Sequence, residues 1–126
     1  MEEPTWLSRL AIDALHLDQL REHGGLRGLR DENALESALA RPQQRWRYDP
    51  KTDLADLAAA YGFGLVQDHP YADGNKRIGF LALATFLDLN GAVLTATDAD
   101  VVAMIGSLAA GRSSEEELAA WIRLHT

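Results

Sequence analysis

Cysteine is absent from the 126 residues. That excludes a disulfide framework, a thiolate nucleophile and any cysteine-ligated zinc site. No apolar run reaches the roughly 18–20 residues that a bilayer-spanning helix needs; the longest, Ile78 to Leu89, is broken by Gly79, Thr85 and Asp88. The opening Met-Glu-Glu-Pro is acidic where a signal peptide carries a basic region. The expectation is therefore a soluble, cytoplasmic chain with no membrane partner. Internal repeats and low-complexity tracts are missing, and strand signal is nearly so, with Ala92-Val93-Leu94 at most a short extended piece.

Basic residues are in the minority. Twelve Lys and Arg face nineteen Asp and Glu, a net charge of −7. Such a surface repels phosphate backbones and argues against direct nucleic-acid binding. The deficit is confined to the two ends, however. Residues 21–77 hold nine basic and nine acidic side chains, and the flanks hold three basic and ten acidic. The middle of the chain accommodates an anion.

What is present is helical periodicity. Leu7, Leu10, Ala14 and Leu17 recur at helical spacing before Gly24-Gly25, a C-terminal stop signal. Asp31 caps a short helix over Glu32–Ala40, ended by Arg41-Pro42. Residues 41–52, with two prolines, four basic and two aromatic side chains, have no steady period and are expected to form a loop or hairpin. Thr52 caps a third helix with Leu54, Leu57, Ala58, Tyr61 and Leu65 on one face. A fourth, from Asn75 to Leu89, is apolar nearly all round and so is expected to be buried centrally. Thr97 or Asp98 starts a fifth, ending at Gly111. Ser113 with Glu116 makes a capping-box pattern for a sixth that buries Leu118, Trp121 and Ile122. The expected fold is a compact all-α domain of about six helices spanning residues 1–126.

Chemistry concentrates in His69-Pro70-Tyr71-Ala72-Asp73-Gly74-Asn75-Lys76-Arg77. A helix N-terminus offers free N–H groups and a positive dipole end, which together hold phosphate. Gly74 permits a tight turn, and Lys76 and Arg77 add charge for phosphate oxygens. Asp73 is a hard oxygen ligand suited to Mg²⁺. His69 carries the one side chain that titrates near neutrality, fit to take a proton from an attacking hydroxyl.

In order and spacing this string resembles the signature of the Fic/Doc (Fido) superfamily, His-Pro-Phe-x-Asp/Glu-Gly-Asn, with Tyr71 in place of the phenylalanine. Lys76 in place of a second glycine, followed by Arg77, resembles the Doc (death-on-curing) toxin branch. His16 with Gly24-Gly25, Leu29-Arg30-Asp31-Glu32, the stretch Leu35 to Gln43 and Asn90-Gly91 extend the likeness over most of the chain. The resemblance implies a toxin of a toxin–antitoxin system that transfers the γ-phosphoryl of ATP to a Ser/Thr hydroxyl of a target protein. It makes His69 the general base and Asp73 the Mg²⁺ ligand, with Gly74, Asn75, Lys76 and Arg77 as the phosphate cradle. The family's target is elongation factor Tu, which would make the outcome blocked translation.

The adenylylating branch of the family uses a second glycine and a final arginine where this chain has Lys76 and Phe80. That favours phosphoryl transfer, with AMP transfer and a non-catalytic, antitoxin-binding co-regulator as the alternatives. The resemblance also places a target-docking flap at Arg41–Lys51, with Arg45, Trp46, Arg47 and Tyr48 as its candidate side chains; Trp46 tucked into the core is the equal alternative. Ser113 to Glu117 fails the pattern of the family's inhibitory helix, since Leu118 follows. A brake in trans is implied, a Phd-like antitoxin with a disordered C-terminal segment. His16 is read as a core or hydrogen-bonding residue, and His23 and His125 need no special role.

Overall fold

A computed structural model describes all 126 residues and is entirely helical. The elements are α1 (Arg9–His23), α2 (Glu32–Tyr48), α3 (Leu54–Asp68), α4 (Asn75–Leu89), α5 (Asp98–Ala109) and α6 (Glu115–Leu124). One cluster of 23 buried apolar residues draws on all six helices. No helix is long and apolar enough to cross a membrane.

The antiparallel pair α3 and α4 forms the centre. α4 buries seven of its fifteen positions, and α3 buries ten, packing against α2, α4, α5 and α6. Small residues allow the two to approach. A Cβ on Gly79 would stand 2.7 Å from a Val66 methyl and one on Gly62 2.7 Å from a Leu83 methyl. The chain between these helices, residues 69–74, is therefore held at a fixed end of the core.

Four expectations are corrected. α2 does not stop at Arg41-Pro42 but continues through a buried Pro42 to Tyr48. Proline's fixed φ suits a helix, and its cost is the lost N–H bond and crowding of the carbonyl four residues back. Ion pairs on either side of the proline offset that cost. Buried Glu115, the first residue of α6, accepts from Arg41 Nε at 2.6 Å and Arg45 Nη1 at 3.0 Å. The N-cap of α3 is Asp53, in a capping box with Asp56, rather than Thr52. That of α6 is Ser114 with Glu117 rather than Ser113 with Glu116.

The buried face of α1 differs as well. Leu10 is 80% exposed and Ala14 is exposed, whereas Ile12, His16, Gln19 and Leu20 face inward. The inward face is partly polar because it meets the 69–74 loop rather than apolar side chains. Ahead of α1, Leu7 is buried and donates its N–H to the Tyr61 hydroxyl. Asn90, at the end of α4, both donates to Thr5 O and accepts from Thr5 N, pinning the N-terminal segment down.

Candidate active site

α3 ends at His69, the one non-glycine residue with positive φ (φ 49°, ψ 53°). That left-handed conformation costs a non-glycine residue on the order of 1 kcal/mol or more, and local bonds hold it. Arg30 donates from Nε to His69 O at 2.6 Å and from Nη2 to Asp68 O at 2.8 Å, tying up the carbonyls at the helix end. The N–H groups of Arg30 and Asp31 both reach Pro70 O, and Ala72 N–H reaches Gly28 O. Residues 28–31 thereby staple the loop to the start of α2.

The turn at His69 brings its ring back over its own helix, with Nδ1 2.7 Å from Val66 O. A carbonyl oxygen only accepts, so the neutral ring carries its proton on Nδ1 and keeps the lone pair on Nε2. The imidazole is exposed and lines a cavity of about 340 Å³ together with residues 72–77. A base with a fixed tautomer thus opens onto the same space as the loop.

The other wall is the start of α4. Gly74 is the N-cap, at φ 76°, and the N–H groups of Asn75, Lys76 and Arg77 have no acceptor in the protein. The Lys76 and Arg77 side chains are exposed and unpaired, although ten other ion pairs with Arg donors form elsewhere on the surface. Three free donors, a helix dipole and two free cations converge, which is a phosphate-binding arrangement. The Asn75 side chain does not join them. Buried, it accepts from Tyr71 N and donates to Tyr71 O, both at 3.0 Å, so it shapes the loop and leaves only its backbone N–H to the cavity.

Asp73 is exposed. Its carboxylate accepts from Leu26 N–H at 3.2 Å and from Gly74 N–H at 2.9 Å. Those two bonds, with the nearby Arg77 and His16, hold its pKa below the ordinary carboxylate value. No group of three His, Cys, Asp or Glu stands ready to hold a metal. One ionised carboxylate beside a phosphate cradle still fits Mg²⁺, which commonly takes one or two carboxylates and completes its shell with phosphate oxygens and water.

The structure does not bring Arg45, Trp46, Arg47 and Tyr48 to this site. Asp31, at the start of α2, touches Pro70, and Trp46 lies fifteen residues further along, about 22 Å at 1.5 Å per residue. Arg45 is tied to Glu115, Asp49 and Asp56, Trp46 packs half-buried on the core, and Arg47 and Tyr48 face solvent. The expected flap is the C-terminal part of a helix. Arg30, which was not singled out as a site residue, does reach the site, through two backbone carbonyls that no sequence spacing reveals.

A family model described as the Fic/DOC family matches residues 6–87. The chain belongs to the Fic/Doc family. Within that family, the chain is similar to two proteins that carry the name Doc. It is 35% identical over 78 residues to "Protein kinase doc" of Escherichia phage P1, covering 62% of each chain. It is 43% identical over 79 residues to "Toxin Doc" of Mycolicibacterium smegmatis, covering 62% of this chain and 60% of that protein. The match thus spans about three-fifths of each relative.

Proposed function

We propose that this chain is a Doc-type toxin that transfers the γ-phosphoryl group of ATP to a Ser or Thr hydroxyl of a target protein in the bacterial cytoplasm. The observation that carries the reading is the shared cavity. His69 presents an unprotonated Nε2 to the space where three backbone donors, Lys76 and Arg77 would hold phosphate. Nε2 takes the proton of the target hydroxyl as its oxygen attacks the γ-phosphorus, and the bond to the bridging oxygen of the β-phosphate breaks, releasing ADP. The developing charge falls toward the α4 N-terminus, where fixed donors stabilise it without reorganising. Mg²⁺, when bound, would neutralise phosphate charge beside Asp73. Catalysis by positioning and charge needs no further nucleophile, in keeping with a chain that has no cysteine.

Phe80 favours phosphoryl over AMP transfer. It does not line the cavity that His69 opens onto, packs beside Arg77 with Leu15 and Leu81, and carries no charge with which to bind a terminal phosphate. By similarity to the Doc toxins, elongation factor Tu is the proposed target, giving blocked translation, and a Phd-like antitoxin the proposed partner. The test is incubation with bacterial lysate and ATP labelled at either the α- or the γ-phosphate. γ-Label on protein, lost about 10²–10⁴-fold in His69→Ala, is the expected result. α-Label would replace the reading with adenylyl transfer; no label, with an unchanged His69→Ala phenotype on induction, would leave the co-regulator.

A further inference from the structure

α1 turns one polar residue per turn toward the 69–74 loop, His16 and Gln19 buried and Asp13 half-exposed at the edge. Asp13, His16 and Gln19 meet, in that order, Tyr71, Asp73 and Gly74. Asp13 Oδ1 accepts the Tyr71 hydroxyl at 2.8 Å, and its other oxygen accepts from Arg9 Nε at 2.9 Å. The buried His16 lies flat on the Tyr71 ring, with centroids 3.6 Å apart and planes within 11°. His16 Nε2 stands 2.8 Å from Asp73 O, and since that oxygen only accepts, Nε2–H donates. One turn on, the Gln19 amide is buried against Gly74 with neither its nitrogen nor its oxygen paired, and a Cβ at Gly74 would collide with it.

This stripe is an expensive way to build a helix interface. A leucine at position 19 would bury without two orphaned polar atoms, and apolar residues at 13 and 16 would need no partners. Its effect is instead to set the register of three consecutive features of the loop: the aromatic ring, the backbone under the carboxylate, and the glycine opening the cradle. We propose that His16 is a positioning residue which, through its bond to the Asp73 carbonyl and its stack on Tyr71, fixes where the Asp73 carboxylate stands relative to the phosphate cradle. The inference rests on the proposed nucleotide site for its purpose, but the latch itself is testable without nucleotide.

The variants are His16→Phe, which keeps the ring on Tyr71 and removes the donor, and His16→Gln, which keeps a donor of similar reach and removes the ring. His16→Asn, too short to reach Asp73, stands in for His16→Phe if that protein does not fold. In ¹⁵N-labelled full-length protein, the Leu26 and Gly74 amide protons report their bonds to the Asp73 carboxylate. The donor-less variant is expected to move both upfield toward free amide positions, with core amides unmoved and His16→Gln, which keeps the bond but loses the stack, moving them less. The Mg²⁺ concentration giving half-maximal binding of an ATP analogue should rise at least fivefold in the donor-less variant, while binding without Mg²⁺ changes less than twofold. Unmoved Leu26 and Gly74 signals in a folded donor-less variant would overturn the proposal, as would moved signals with an unchanged Mg²⁺ midpoint. If the parent protein binds no nucleotide, the proposed function fails and the amide shifts alone decide the latch.

Discussion

At His69 three constraints act on one residue: a helix must end, the backbone must turn left-handed, and the ring must present a lone pair. The Nδ1–Val66 bond meets the last because of the first two. Asp73 is constrained in a comparable way, its two oxygens each taking one backbone N–H. Because those bonds and the nearby cations depress its pKa, Asp73 orders the loop fully above its unfolded value of about 4. That contribution fades as pH falls through the lower folded value. The Gly74 amide shift should therefore titrate with a midpoint below 4, by NMR in the apo protein. Asp73→Asn should abolish that step and leave the core spectrum unchanged.

At the scale of elements, the second half of α2 depends on α6. Glu115 is buried between Arg41 and Arg45 and has no other side-chain partner. Removing it leaves two guanidinium groups without their shared acceptor, but both are partly solvated, so the loss should fall below that of a fully buried pair. Glu115→Ala is expected to cost about 2 kcal/mol, lowering the melting temperature by roughly 5–8 °C in calorimetry. Arg47→Ala, with no partner, should stay within about 0.5 kcal/mol of the parent.

The same network explains what sequence could and could not disclose. The C-terminal end of α1, the start of α3 and both ends of α4 and α5 were legible to within a residue or two, because Gly24, Asn90-Gly91 and Thr97 mark most of them locally. Pro42 was misleading because the bonds that carry the helix past it come from Glu115, more than seventy residues away. The α1 face was misread for a related reason: Leu10, Ala14 and Leu17 keep perfect period, yet burial follows Ile12, His16, Gln19 and Leu20, partly onto a polar loop. The site itself was legible as a contiguous string, except for Arg30 and the inward turn of Asn75, which depend on tertiary contact.

For the molecule as a whole, −7 and the proposed phosphate ligand pull in opposite directions, and distance decides between them. With Lys76 and Arg77 set aside the rest of the chain carries −9, and a doubly charged Mg–ATP about 20 Å from that charge would meet roughly 4 kcal/mol of repulsion in pure water. A Debye length of about 8 Å at 0.15 M reduces that to a few tenths, whereas about 30 Å at 0.01 M leaves nearly half. Lys76 and Arg77 attract at contact, about 1 kcal/mol each per unit charge in water, and salt screens them over the same range. Both terms strengthen as salt is removed, with opposite sign. Nucleotide affinity should accordingly change less than tenfold between 0.15 M and 0.01 M salt, by isothermal titration. Neutralising acidic residues at the far end of α4, Asp88 together with Glu2 and Glu3 of the N-terminal segment pinned to Asn90, should steepen that dependence so that affinity rises clearly at low salt. Lys76→Gln should do the reverse, making low salt unfavourable. If both variants kept the parent's slope, the cations of the cradle would not be meeting the ligand's phosphates, and the placement of charge along the chain would be a property of the surface alone.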